Sequence, residues 1–183
     1  MTPLRLAAVA VLAAGGIVAG LLLRGGHSNP AVAHVGAEKI TRDQLETAVD
    51  HFRNAAKQEG TPFPDEKSAR FRTIRNRLLG VLVYRTELAQ AAGRLGLRVT
   101  NIQVLRRMSP NSEGEESTTD RFQYDTVKAQ LLYERIYAEV TRGISAPTNP
   151  ELAARKNASM KRYIDRLERD TQVRYEPGYA PGP

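Results

Sequence analysis

The chain contains no cysteine and no tryptophan, and its histidines number three. Without cysteine there can be no disulfide framework, no thiol nucleophile and no lipid attachment through an N-terminal Cys, so stability must come from packing. The histidines, His27, His34 and His51, all fall early in the chain, and none has a second metal-binding side chain at the three- or four-residue spacing a helical site needs. No G-x-S-x-G elbow, phosphate-binding glycine loop or H-E-x-x-H occurs. Asp43, Glu46 and Asp50 recur at helical steps among polar residues, which is the pattern of a solvated face and not of a general acid and base. No catalytic residue, metal or cofactor is therefore expected, and the chain reads as a binding protein, not an enzyme.

What the sequence does have is a long apolar run at its start. From Leu6 to Leu23 no side chain is charged, and at about 1.5 Å per residue the run spans roughly 27 Å, near the hydrocarbon thickness of a bilayer. Residues 1–28 thus read as a signal anchor or a signal peptide, touching lipid through residues 6–23. Arg5 before the run favours a cytoplasmic N-terminus, although Arg24 after it weakens the asymmetry. The nearest small-residue cleavage motif, Ala31-Val32-Ala33, lies far beyond Leu23, which favours an anchor. The expected location is the plasma membrane, single-pass, with the C-terminal domain outside the cytoplasm, or secreted if the segment is removed. Gly16 and Gly20 form a small-xxx-small pair through which two such helices could meet as a homodimer.

The formal net charge is +7. Much of it sits between Glu66 and Arg107, where Lys67, Arg70, Arg72, Arg75, Arg77 and Arg85 lead a basic run opposed by Glu66 and Glu87 alone. Such a run suits acidic clients, anionic headgroups or nucleic acid, and equally a solvated helix face. Aromatic residues are sparse within it and export would remove it from nucleic acid, so no nucleic-acid partner is expected.

Local signals divide the remainder. Val32, Val35 and Ile40 bracket Gly36-Ala37-Glu38-Lys39, so residues 32–41 read as a small β-hairpin. Thr41 stands three residues before Gln44, the spacing of a capping box, and Leu45, Val49, Phe52 and Ala56 then share one helix face. Asp65 or Ser68 can cap a long second helix, which carries Phe71, Ile74, Leu78, Leu82, Leu88 and Ala92 and stops at Gly96. Thr100 and Gln103 repeat the capping box for a short helix to about Met108. Residues 109–120 are polar and acidic and read as a mobile loop. A fourth helix from about Arg121 to Val140 has the strongest amphipathic stripe, and a fifth runs from Glu151 to about Arg169. Val173 and Tyr175 suit a short strand able to pair with the first hairpin. The Pro- and Gly-rich residues 177–183 read as a disordered tail. The expected fold is mainly α: an N-terminal transmembrane helix, then one domain at 29–176 of about five helices with a small β-hairpin or short sheet.

This order of elements resembles the chaperone module of extracytoplasmic foldases of the SurA and PrsA type. The residues carrying the likeness are Val32-Ala33-His34-Val35-Gly36 with Ile40-Thr41, the helix Leu78 to Ala92, Leu95-Gly96-Leu97 with Val99-Thr100, and Phe122 to Val140. Tyr163 to Leu167 and Val173 to Tyr175 look like the helix and strand that return to complete the module. Such foldases commonly carry a parvulin-type prolyl isomerase domain between the amphipathic helix and the returning helix. Here only Gly143 to Glu151 separates them, which implies that the isomerase domain is absent. The resemblance implies an ATP-independent, membrane-tethered chaperone that binds unfolded or newly exported polypeptides. The alternative is a cell-envelope adaptor docking one fixed protein partner. Large apolar side chains that could touch a client are Phe63, Phe71, Tyr84, Met108 and Tyr124, each of which also suits a place in the core.

Overall fold

The computed structural model describes residues 29–109 and 120–180. The expected membrane segment at 6–23, most of the acidic loop at 109–120 and residues 181–183 lie outside the described residues. Among the described residues no helix is long and apolar enough to cross a membrane.

The described chain opens on strands β1 (Ala31–Val35) and β2 (Glu38–Thr41), paired antiparallel with Val35 opposite Glu38 and His34 opposite Lys39. The turn is therefore shorter than the sequence suggests, since Glu38 and Lys39 belong to β2. Only Gly36 and Ala37 form it, and Gly36 takes φ +57°, a left-handed value that a Cβ would strain. Strand β3 (Val173–Tyr175) adds to the other edge of β1, giving a three-stranded sheet of order β2-β1-β3. The expected pairing of the C-terminal strand with the first hairpin is thus present.

Helix α1 (Arg42–Gln58) starts at the capping box: Gln44 donates its backbone N–H to the Thr41 hydroxyl, and the Gln44 side-chain oxygen accepts from the Thr41 N–H at 2.8 Å. Its Leu45, Ala48 and Val49 are buried against the sheet, but the apolar face turns outward beyond them. Phe52, on the same helix face as Leu45 and Val49, is 43 % exposed and packs edge-on against the His51 and Phe122 rings.

Helix α2 (Ala69–Arg94) is the spine of the module, about 39 Å long at the standard rise. Of the two candidate caps, Ser68 takes the role, its hydroxyl accepting from the Phe71 N–H at 3.1 Å. Asp65 instead stabilises the preceding turn, accepting from the Lys67 N–H at 2.8 Å. At the far end Leu97 donates back to the Ala92 carbonyl and Gly96 to that of Gly93, the paired bonds of a Schellman motif, with Gly96 at φ +69°. Gly96→Ala is expected to cost about 1 kcal/mol, read as a lower urea midpoint, because it forces a Cβ into the left-handed region.

Helix α3 (Asn101–Met108) repeats the capping box at Thr100 and Gln103. Helix α4 (Arg121–Val140) begins at Asp120, and α5 (Asn149–Asp170) at Thr148 with Pro150 in its first turn. Two apolar clusters form along α2. Leu78, Leu79 and Val83, around its middle, join a core with the sheet, α1 and Phe122. Its C-terminal half gives Leu88, Ala91 and Ala92 to a second core with Leu132 and Ile136 of α4 and Met160 and Leu167 of α5.

Beyond β3 the chain does not run free at once. Glu176-Pro177-Gly178-Tyr179 forms a turn closed by Tyr179 N–H to Glu176 O at 3.1 Å, with proline second and a positive-φ glycine third, as a type II turn requires. Residues 177–180, expected to be part of a disordered tail, are seated on α2.

Candidate functional site

The residues singled out as candidate client contacts do not converge on one pocket. Phe63 and Phe71 meet edge to face, with ring centres 6.2 Å apart, and pack on the first core while staying half-buried. The Arg53 guanidinium lies 5.5 Å from the Phe63 ring centre. Tyr84 packs on the second core. Its hydroxyl is harder to ionise than usual, first because it is buried and then because Tyr133, Glu168 and Glu87 lie near. Tyr124 spends its hydroxyl on Asn101 Oδ1 at 2.7 Å, and Met108 is half-buried at the end of α3. Among the described residues the large apolar side chains most open to solvent are others: Ile102 is 67 % exposed, Leu105 48 % and Phe52 43 %, followed by Val81 and Leu95.

Two open clefts flank α2. One, of about 410 Å³, lies between β2, α2 and α4, with Ile40, Leu82 and Leu132 among its apolar walls and Glu38, Arg85, Asp125 and Lys128 among its charges. Arg85 is held there by Thr126 Oγ1 at 2.5 Å and stands over Phe122, 4.1 Å from the ring centre. Burial lowers its pKa, and the nearby Asp125 charge opposes that shift. The other cleft, of about 540 Å³, lies between α1 and α2 and is lined by Leu45, Val49, Arg53, Phe71, Arg75 and Tyr179 among others.

Between α1 and α4 the His51 ring sits 4.9 Å from Phe122, and its Nδ1 lies 2.5 Å from Asp120 Oδ2. Asp120 also accepts from the Phe122 and Gln123 backbone amides. The His51 hydrogen bond, with help from those amides, holds the Asp120 carboxyl below its ordinary value. This is the join of a helix cap to a neighbouring helix. Among the described residues no group of His, Cys, Asp and Glu could hold a metal ion.

A family model described as the SurA-like N-terminal domain matches residues 4–142, most of the chain. The chain belongs to that family. The match ends at Arg142, directly after α4, so α5 and β3 lie beyond it, although β3 completes the sheet around β1. No parvulin-type isomerase domain is matched, and the link between α4 and α5, residues 141–148, holds no room for one. Among curated proteins none matches this SurA-like chain.

Sequence reasoning overlooked three residues that this SurA-like module uses together: Arg75, Asn76 and Tyr179. Arg75 and Asn76 looked like ordinary polar positions on α2, and Tyr179 lay in a segment whose Pro-Gly signal marks a turn without saying where it docks. It also left Glu87 among the charges of a basic run, whereas the residue as a whole is only 4 % exposed.

Proposed function

We propose that this SurA-like protein is an ATP-independent chaperone, tethered to the plasma membrane with its domain outside the cytoplasm, that holds unfolded or newly exported polypeptides. The observation carrying this reading is the apolar surface the module leaves open: Ile102 and Leu105 on α3 and Phe52 on α1 stay open to solvent instead of joining either core. Scattered apolar contacts of this kind offer weak, adaptable attachment to chains without fixed structure. The tether rests on the uncharged run from Leu6 to Leu23 and its bilayer-matching length. The protein is not an enzyme in this reading, since the chain lacks the catalytic motifs and the isomerase insert.

The full chain in lipid nanodiscs, at several-fold molar excess, is expected to suppress light scattering from an aggregating unfolded protein without accelerating prolyl isomerisation in a peptide substrate. Scattering that matches empty nanodiscs would remove the chaperone reading, and isomerase activity above background would overturn the non-enzymatic one. A second reading, an adaptor docking one fixed envelope partner, draws on Ile102 and Leu105, which stand one turn apart on α3 and make a defined patch. Recovery of one stoichiometric partner in place of a spread of clients would favour it.

A further inference from the structure

The last described residues occupy part of the cleft between α1 and α2. Arg75 Nη2 donates to the Gly178 carbonyl at 2.6 Å, and Asn76 Nδ2 donates to the Ala180 carbonyl at 2.9 Å. The Arg75 guanidinium also lies 4.8 Å from the centre of the Tyr179 ring, a cation–π distance, while the ring packs half-buried on the first core. Past Tyr179 the cleft continues toward Phe71 and Arg53, and its open volume of about 540 Å³ is far more than a tyrosine side chain fills. Arg75 Nε is buried without an acceptor, so the cation holding the tail has donor capacity to spare.

The chemistry of these contacts is general. Both hydrogen bonds go to main-chain carbonyls, which every polypeptide carries, and the one side chain recognised is an aromatic ring. The charges around the cleft, Arg42, Arg53 and Arg75 against Glu46, Asp50 and Glu66, balance and select for neither sign. The occupant is also lightly held, because β3 ends at Tyr175 and residues 177–180 can leave without unpairing any strand.

We infer that the α1–α2 cleft is a polypeptide-binding site whose resident occupant is the chain's own segment 177–180, displaced by a segment of another polypeptide that presents main-chain carbonyls and an aromatic ring. This rests on the reading of the protein as a polypeptide binder and adds the place, the recognition chemistry and the competitor. An occupant closed about nine-tenths of the time lowers the affinity for an incoming segment about tenfold, since only the open fraction can bind.

The test uses the full chain, its Tyr179→Ala variant and the double variants Tyr179→Ala with Arg75→Ala and Tyr179→Ala with Arg75→Lys. The probe is a fluorescein-labelled peptide, EPGYAPGP, corresponding to residues 176–183, followed by anisotropy. Tyr179→Ala is expected to bind the probe about tenfold more tightly than the parent chain, and a reduced, carboxymethylated client protein should displace it. Both double variants should lose that binding, the lysine form serving to separate lost recognition from lost folding, with far-UV circular dichroism as the check. Equal binding to the parent and Tyr179→Ala, or bound probe that the client does not displace, would overturn the inference. Aggregation suppression that stays equal in every variant would leave the chaperone reading standing and remove this site from it. Loss of suppression in the parent and all variants would defeat the chaperone reading first and this inference with it.

Discussion

Shortening Leu79 to alanine is expected to lower the unfolding free energy of the module by about 3 kcal/mol, within the range of about 2–5 kcal/mol for buried Leu→Ala changes. Leu79 is fully buried on α2, in the core that also holds Val32, Val35 and Ile40 of the sheet and Leu45 and Val49 of α1. Its removal takes away the transfer energy of the lost carbons and leaves a cavity that a strand and two helices cannot easily collapse into. Domains are stable by only about 5–15 kcal/mol, so this one change takes a large share. With no tryptophan in the chain, urea unfolding followed by far-UV circular dichroism is the suitable measurement. A loss below about 1 kcal/mol would mean that α2 does not pack on the sheet as described.

The second expected effect is a gain. Glu87 lies in the apolar half of α2 with 4 % exposure, and its pKa is raised, first by burial and then by the charge of Glu168 on α5. In the unfolded chain the same carboxyl ionises near its ordinary value of 4.5. The folded protein therefore keeps the proton to higher pH than the unfolded chain does. Its contribution favours folding below the ordinary value, declines as pH rises through the raised one, and becomes a cost once Glu87 is ionised. Glu87→Gln keeps the shape and removes the charge, so it is expected to stabilise the protein at pH 7. The same variant should flatten the fall in stability from mildly acidic to neutral pH. Urea midpoints across that range check both; an unchanged pH profile would show that Glu87 is solvated in the folded protein. The ionisations of Tyr84 and Tyr175, which Glu87 helps to raise, should ease in the variant as well.

The elements legible in the sequence were those fixed by short-range chemistry. Thr41 with Gln44 and Thr100 with Gln103 mark helix starts because a hydroxyl and an amide three residues apart satisfy each other's backbone, whatever the rest of the chain does. Gly96 marks a stop for an equally local reason. What periodicity could not show is how far each partner surface extends. Phe52 continues the apolar face of α1 in sequence, yet it stays 43 % exposed while Leu45 and Val49 on that face are buried. Glu87 is the converse: a charge inside an apolar stripe is unremarkable until α5 and β3 close over it. The candidate aromatics fared similarly, since all are half-buried, Phe63 and Phe71 against each other on the first core and Tyr84 and Tyr124 elsewhere, with Phe71 lining the α1–α2 cleft. Arg75 gave no signal at all, because its role depends on a tail more than a hundred residues away along the chain, as its bond to Gly178 records.

The sheet order β2-β1-β3 has a consequence for how this protein comes into being. Its middle strand is among the earliest described residues, and the partner on one side is almost the last, with Ala33 facing Tyr175. A chain made from its N-terminus onward can form the hairpin and α1 early, but must wait for nearly the whole length to arrive before β1 gains its second neighbour. Until then one edge of β1 stays unpaired, open to any passing strand. The link at residues 141–148 joins α4 to α5 and belongs to none of the three strands. Extra sequence placed there would lengthen the wait without interrupting any of them.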